Sequence, residues 1–303
     1  MVCRDCFRGT IHDFATPKGT LSDLYGSSYK TYVSLPPNDP KPKSTIIFFC
    51  DAFGLHLPNN KILADHYAEQ TGCRVLTPDI IPGGGCSEKC MHAMNEVFKP
   101  LPSWWSLLDP RMYFNKIWGI STFAPTFIPF LITSSAPKAY PECLRYARAV
   151  KADLPAGGKL GAAGFCWGGY PSTKLCGESA SAEGEGATKP LLDAAFSAHP
   201  SSLDAPKDFV GALGRFKTPY FCAVAEFDFL FNKGAAEQTE AALRKELGPS
   251  GEGKAGVYEF FIHKGAHHGF SVRASPDAPG EVGKESYETA AAQAVEWFNK
   301  YLK

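Results

Sequence analysis

The chain has 303 residues, 44% hydrophobic and 20% charged, which supplies a sizeable core and argues against disorder. Lys and Arg number 31, as do Asp and Glu, so the formal charge is zero and nothing in that balance draws the protein to nucleic acid or an anionic membrane. The opening MVCRDCFRGT lacks the apolar run of a secretory signal, and no segment offers the roughly 18 charge-free apolar residues of a spanning helix, so a cytoplasmic setting with reduced thiols is expected for the ten cysteines.

In chain order, residues 1–28 read as an irregular arm with turn signals at Pro17–Gly19 and at Gly26 to Ser28. Residues 29–35 alternate weakly, as in a strand, and PPNDPKPK at 36–43 is a loop. The apolar run TIIFFC at 45–50 fits a strand buried on both faces. A helix follows over 59–72, ended by Gly72, then a strand over 74–77, stopped by Pro78.

Residues 97–137 break this rhythm, with Trp104, Trp105, Tyr113, Phe114, Trp118, Phe123, Phe127 and Phe130. The stretch is too long and too apolar for a simple connection. It reads as a lid or pocket wall, a homodimer contact, a membrane-surface element, or a packed extra helical layer. Pro125 and Pro129 make 117–132 a poor spanning helix.

Beyond it the pattern resumes, with a helix over 138–153, a strand over 159–165 and a helix over 168–176. Residues 177–189 form a Ser-, Gly-, Ala- and Glu-rich surface loop. Strands follow at 194–198 and 220–225, a helix at 235–247 and a last strand at 256–262. The closing helix, 287–301, carries an apolar stripe at Ala290, Ala294, Val295 and Phe298. Strands alternating with helices predict an α/β fold with a mainly parallel sheet and helices on both faces. One domain over 1–303 is expected, with the arm and the aromatic insertion attached.

The strongest local signal is Gly164-Phe165-Cys166-Trp167-Gly168-Gly169, between a predicted strand and a predicted helix. That is the context of a nucleophile elbow, where a sharp turn exposes the nucleophile and its neighbours must be small. The helix N-terminus behind it favours a thiolate and can stabilise an oxyanion. The plainer alternative is a Gly-rich turn around a structural Cys. A thiolate nucleophile needs a base, and the base an orienting acid. Asp228 follows the strand ending at Ala225, and His268 follows the strand ending at Ile262. The C-terminal ends of parallel strands share one edge, so these loops can converge on the elbow. Nucleophile, acid and His occur in the chain order of the α/β-hydrolase fold. Glu226 is a rival acid and His267 a rival base. His199, at another strand end, is placed either to contact substrate or to be a satisfied loop histidine. The pairs Cys3/Cys6 and Cys86/Cys90 lack a finger or ribbon context, so neither a metal nor an organic cofactor is expected.

These residues resemble the dienelactone hydrolase (carboxymethylenebutenolidase) family. The resemblance rests on GFCWGG at 164–169, the Asp228 loop, HHGF at 267–270, DAFG at 51–54 and VLTPD at 75–79, and extends to Gly9-Thr10-Ile11-His12 and Pro17-Lys18-Gly19. It implies Cys166 as nucleophile, His268 as base and Asp228 as orienting acid, with an oxyanion hole from the backbone N–H groups of Ala52 and Trp167. It also implies a thiol-activating role for Asp51, which stands where the bacterial enzymes have Glu, and a substrate-carboxylate role for Arg273. The second arginine of the family is missing from 80–89, where Lys89 is the nearest cation. The expected activity is opening of a small-molecule ester or lactone through an acyl-enzyme. Alternatives are acyl transfer, a lyase or cyclase step on a polyketide-like lactone, and non-catalytic binding of a small molecule.

Overall fold

Eight strands pair into one sheet: β1 (Thr20–Ser22), β2 (Thr31–Ser34), β3 (Thr45–Phe49), β4 (Arg74–Pro78), β5 (Leu160–Phe165), β6 (Ala194–Ala198), β7 (Tyr220–Ala225) and β8 (Tyr258–His263). Their spatial order is β1-β2-β4-β3-β5-β6-β7-β8. The structure is a computed structural model and describes residues 9–98, 109–251, 256–274 and 282–303. The first two strands join the sheet antiparallel, and every pairing from β4 to β8 is parallel. All residues of β3, β5, β6 and β7 are buried, as strands covered on both faces must be. At the edge, β8 instead alternates between buried and more open positions.

Among the described residues the helices are α1 (Pro58–Thr71), α2 (Glu88–Phe98), α3 (Pro110–Thr133), α4 (Ala136–Ala152), α5 (Gly169–Lys174), α6 (Lys207–Phe216), α7 (Lys233–Leu247), α8 (Phe270–Arg273) and α9 (Val282–Leu302). The predicted end of α1 at Gly72 reflects a left-handed cap (φ 69°) whose N–H returns to the Ala68 carbonyl. One helical layer contains α1 and α9, with Phe298 of α9 lying over Gly161 of β5. The other contains α4, α5 and α6. The α/β architecture thus matches the sequence reading.

Several details differ from it, among them α2 and α6, which the sequence reading does not place. The arm is not wholly irregular: Thr20–Ser22 adds a strand beside β2, and Asn59 holds the arm down through the carbonyls of Thr10 and Val272 and the N–H of His12, each at 2.8 Å. The last strand begins at Tyr258 rather than at residue 256. Within the insertion, α3 runs through both prolines. Pro125 and Pro129 lie four apart on the exposed side, where solvent can satisfy the carbonyls that lose a partner. On its inner side Phe123, Phe127 and Phe130 stack at 4.6 and 6.0 Å. No helix among the described residues is long and apolar enough to cross a membrane. Trp104, Trp105, Cys3 and Cys6 lie outside the described residues.

Candidate active site

Sheet register brings the site together. Phe49 of β3 pairs with Gly164 of β5, so Asp51 and Cys166, each two residues further on, leave the sheet at the same height. Phe165 pairs with Ala198 of β6, which brings His199 beside Cys166. Ala225 of β7 pairs with His263 of β8, and the loops after these strands carry Asp228 and His268. The chain leaves β3 toward β4 on one side and reaches β5 on the other. The crevice between β3 and β5 is therefore a topological switch point, where ligands of such sheets bind.

The elbow has the predicted form. Cys166 adopts φ 51°, a left-handed conformation rare for a residue with a side chain. A Cβ on Gly164 would collide with the Gly168 carbonyl and the Ser172 hydroxyl, and one on Gly168 with the Phe49 carbonyl. Glycine at both positions lets β5, the turn and β3 close on one another. The Gly168 N–H donates to the Cys50 carbonyl (3.0 Å), fastening the elbow to the end of β3.

His268 is buried and meets Cys166 through a side-chain hydrogen bond. Its Nδ1 lies 2.8 Å from Asp228 Oδ2. The other oxygen, Oδ1, accepts from the Leu230 N–H at 2.8 Å, which fixes the carboxylate's orientation. Burial opposes charge on the Cys166 thiol, but His268 outweighs it and holds the thiol below its ordinary range. Burial likewise opposes the imidazolium, yet Asp228 and Cys166 raise His268 to about 10. The pair therefore favours thiolate and imidazolium. The rivals point elsewhere: Glu226 accepts from the Gly265 N–H (2.8 Å), and the His267 ring lies against Phe227.

Ala52 and Trp167 follow the tips of β3 and β5. The turn at Ala52 is fixed by Asp51 Oδ1, which accepts from the Phe53 N–H (3.1 Å) and Asn60 (3.0 Å). The Cys86 N–H donates to the Ala52 carbonyl at 2.8 Å, so the buried Cys86 and Cys90, whose thiols interact, back the site. Trp167 donates its indole N–H to the Ser134 carbonyl at 2.6 Å, joining the elbow to the end of α3.

Arg273 and Asp51 are brought together: Nε lies 3.3 Å from Oδ2, with both side chains buried. The guanidinium packs over Phe53 and against Gly269. Lys89 lies exposed on α2. His199 is fully buried rather than open to the crevice. Sequence reasoning passed over Ser271, 2.8 Å from His199 Nε2, although it adjoins the HHGF motif. It also passed over Ser134, to which no local signal points, and Phe229, whose ring lies 5.4 Å from His268.

Residues 134–302 match the Dienelactone hydrolase family. Over 98% of its length the chain is 28% identical to Hydrolase tropI of Talaromyces stipitatus and 25% identical to Hydrolase pyvD of Aspergillus violaceofuscus, covering 96% of each. Among solved structures, it resembles a candidate dienelactone hydrolase from Klebsiella pneumoniae (TM-score 0.59, 19% identity, 94% of this chain and 99% of that one). It also resembles Thermogutta terrifontis esterase 2 (TM-score 0.57, 12% identity, 94% and 95%). A sharp strand–turn–helix elbow in a mainly parallel sheet and a family match over more than half of the residues agree: the chain belongs to the dienelactone hydrolase family, hydrolases of the α/β-hydrolase fold that act on ester bonds.

Proposed function

We propose that this hydrolase uses Cys166 as nucleophile, His268 as general base and acid, and Asp228 as orienting acid, to open activated esters or lactones. The observation that carries the proposal is the continuous chain of contacts from the Cys166 thiol to His268 and on to Asp228 Oδ2 at 2.8 Å, behind a nucleophile at φ 51°. The thiolate attacks the acyl carbon, and the carbonyl π electrons move to oxygen. The N–H groups of Ala52 and Trp167 face the oxyanion. Collapse expels the alcohol or enol oxygen, which takes its proton from His268, and leaves a Cys166 thioester. His268 then removes a proton from water, hydroxide attacks the thioester, and the acid departs as the thiolate returns.

A thiolate is a better leaving group than an alkoxide, so with an ordinary alkyl ester the first intermediate mostly reverts. Enol lactones and aryl esters, whose leaving oxygens are stabilised, go forward. Arg273, the site's buried guanidinium, is already paired with Asp51, and Lys89 is exposed. This arrangement favours a substrate that does not depend on a two-arginine carboxylate clamp. The aromatic side of α3, joined to Trp167 through Ser134, supplies an apolar wall for a bulkier acyl group.

Hydrolysis of p-nitrophenyl acetate and a simple enol lactone by wild type and Cys166→Ala, with intact mass recorded during turnover, tests the proposal. The expected result is activity and an acyl adduct in the wild type alone. Equal activity in both proteins would remove Cys166 from the mechanism.

A further inference from the structure

We propose that His199 is a positioning residue that fixes the His268 loop against the nucleophile elbow; this rests on the triad reading above. The segment after β6 touches both the elbow and the His268 loop. The His199 N–H extends the ladder to the Ala223 carbonyl (2.9 Å). The backbone then turns left-handed at φ 38°, a conformation costly for a residue with a Cβ. That turn sends the imidazole inward, where it is fully buried, and presses Pro200 and Ser201 onto the elbow. The Ser201 N–H donates to the carbonyl of Cys166 itself (3.0 Å), and a Cβ on Gly169 would come within 2.5 Å of the Pro200 ring.

The imidazole faces the base loop. Its centroid is 4.9 Å from that of His268, at 65°, and 5.5 Å from that of Phe270. Nε2 lies 2.8 Å from the Ser271 hydroxyl on α8, the helix that also carries Arg273. The ring therefore limits rotation of His268 about its Asp228 bond and ties that loop to the backbone that holds Cys166. The charged and titratable groups facing His199 are His268, Arg273 and His263, and with burial they hold it neutral. Protonation at the site is thus reserved for His268. Since His199 serves through His268, its loss acts on kcat and on the thiolate, and leaves substrate affinity alone.

The experiment compares wild type, His199→Leu, His199→Gln and Ser271→Ala. Its readouts are kcat and KM with p-nitrophenyl acetate, the pH profile of Cys166 alkylation by iodoacetamide read by mass, and thermal unfolding. Leucine is expected to lower kcat about tenfold with KM changed less than about twofold, since a displaced base slows the chemistry without removing binding contacts. It also raises the alkylation midpoint, because the thiolate loses its aligned imidazolium. Glutamine, which can still bond Ser271, recovers most of both effects. Ser271→Ala falls between wild type and leucine, and the double variant His199→Leu/Ser271→Ala is no worse than His199→Leu alone. A folded leucine variant with unchanged kcat and midpoint overturns the proposal, as does a glutamine variant no better than leucine. If His199→Leu does not fold, Ser271→Ala decides, because it removes only a hydroxyl, and an unchanged profile there is equally fatal. Failure of the triad reading looks different: Cys166→Ala would stay active, while the alkylation midpoints would still report whether His199 positions His268.

Discussion

At the C-terminal edge of the sheet, Asp51, Asp228, His268 and Arg273 are all 5% exposed or less, and each is paired. On α3, Phe114 is 71%, Ile117 67% and Ile132 63% exposed. The first region is polar and closed, whereas the second is apolar and open. A buried charge without its partner costs several kcal/mol, so positions in the first region are specified atom by atom. An exposed isoleucine loses little when replaced, so the outer face of α3 is specified only by helix length and by its stacked inner aromatics. Tolerance to substitution should therefore differ sharply between the two.

The most severe test of that difference is Cys166→Ala. It should lower kcat/KM for p-nitrophenyl acetate by about 10³-fold or more while leaving the fold intact, as circular dichroism would verify. Asp228→Asn should cost on the order of 10²-fold. It should also move the pH profile of Cys166 alkylation. The thiol of the wild type is held below its ordinary range, so its thiolate is present above that depressed pKa and is lost as pH falls through it. With Asp228 neutralised the imidazolium is less supported, and the midpoint should rise toward that of a free thiol. A midpoint that stayed put would break the link from Asp228 through His268 to Cys166.

Gly168→Val tests the closed region by shape alone, since any Cβ there meets the Phe49 carbonyl. A loss of about 3 kcal/mol in urea unfolding, or failure to fold, is expected. Trp167→Phe probes the tie between the regions. It leaves the Ser134 carbonyl without its indole donor and should cost about 1–2 kcal/mol. At the other extreme, Ile117→Lys with Ile128→Lys should shift stability by less than about 0.5 kcal/mol per site and activity on p-nitrophenyl acetate by less than about twofold. A much larger fall in activity would show that the open face of α3 takes part in turnover, and the contrast would then lie in chemistry rather than in tolerance.

Much of this organisation is legible in the chain. Five fully buried residues in a row mark β3, and the glycines flanking Cys166 are required by hard-sphere contacts at a turn of this shape. Alternation of strands and helices fixes the direction of the sheet, and direction alone places the loops after β3, β5, β7 and β8 on one edge. The proline rule spoke only against a membrane-spanning helix over 117–132 and left the local structure open; α3 runs through both prolines, which lie on its exposed side. The strand at Thr20–Ser22 also escaped notice, because three residues carry too little periodicity to be seen without the partner strand they join.

What the sequence by itself determined is therefore what depends on neighbours in the chain: the strand runs, the glycine-flanked turn at Cys166, the helix caps, and the chain order of Cys166, Asp228 and His268. Only the tertiary structure gives the contacts of these neighbours, Asp228 meeting His268 Nδ1 while Glu226 accepts from the Gly265 N–H, because residues so close in the chain differ in direction and not in local pattern. The pairing of Arg273 with Asp51, the contact of His199 with Ser271 and the bond from Trp167 to Ser134 were likewise settled only in three dimensions. Each joins residues far apart in the chain whose separation is set by sheet register and helix packing, and a distance of that kind leaves no trace in local composition or spacing.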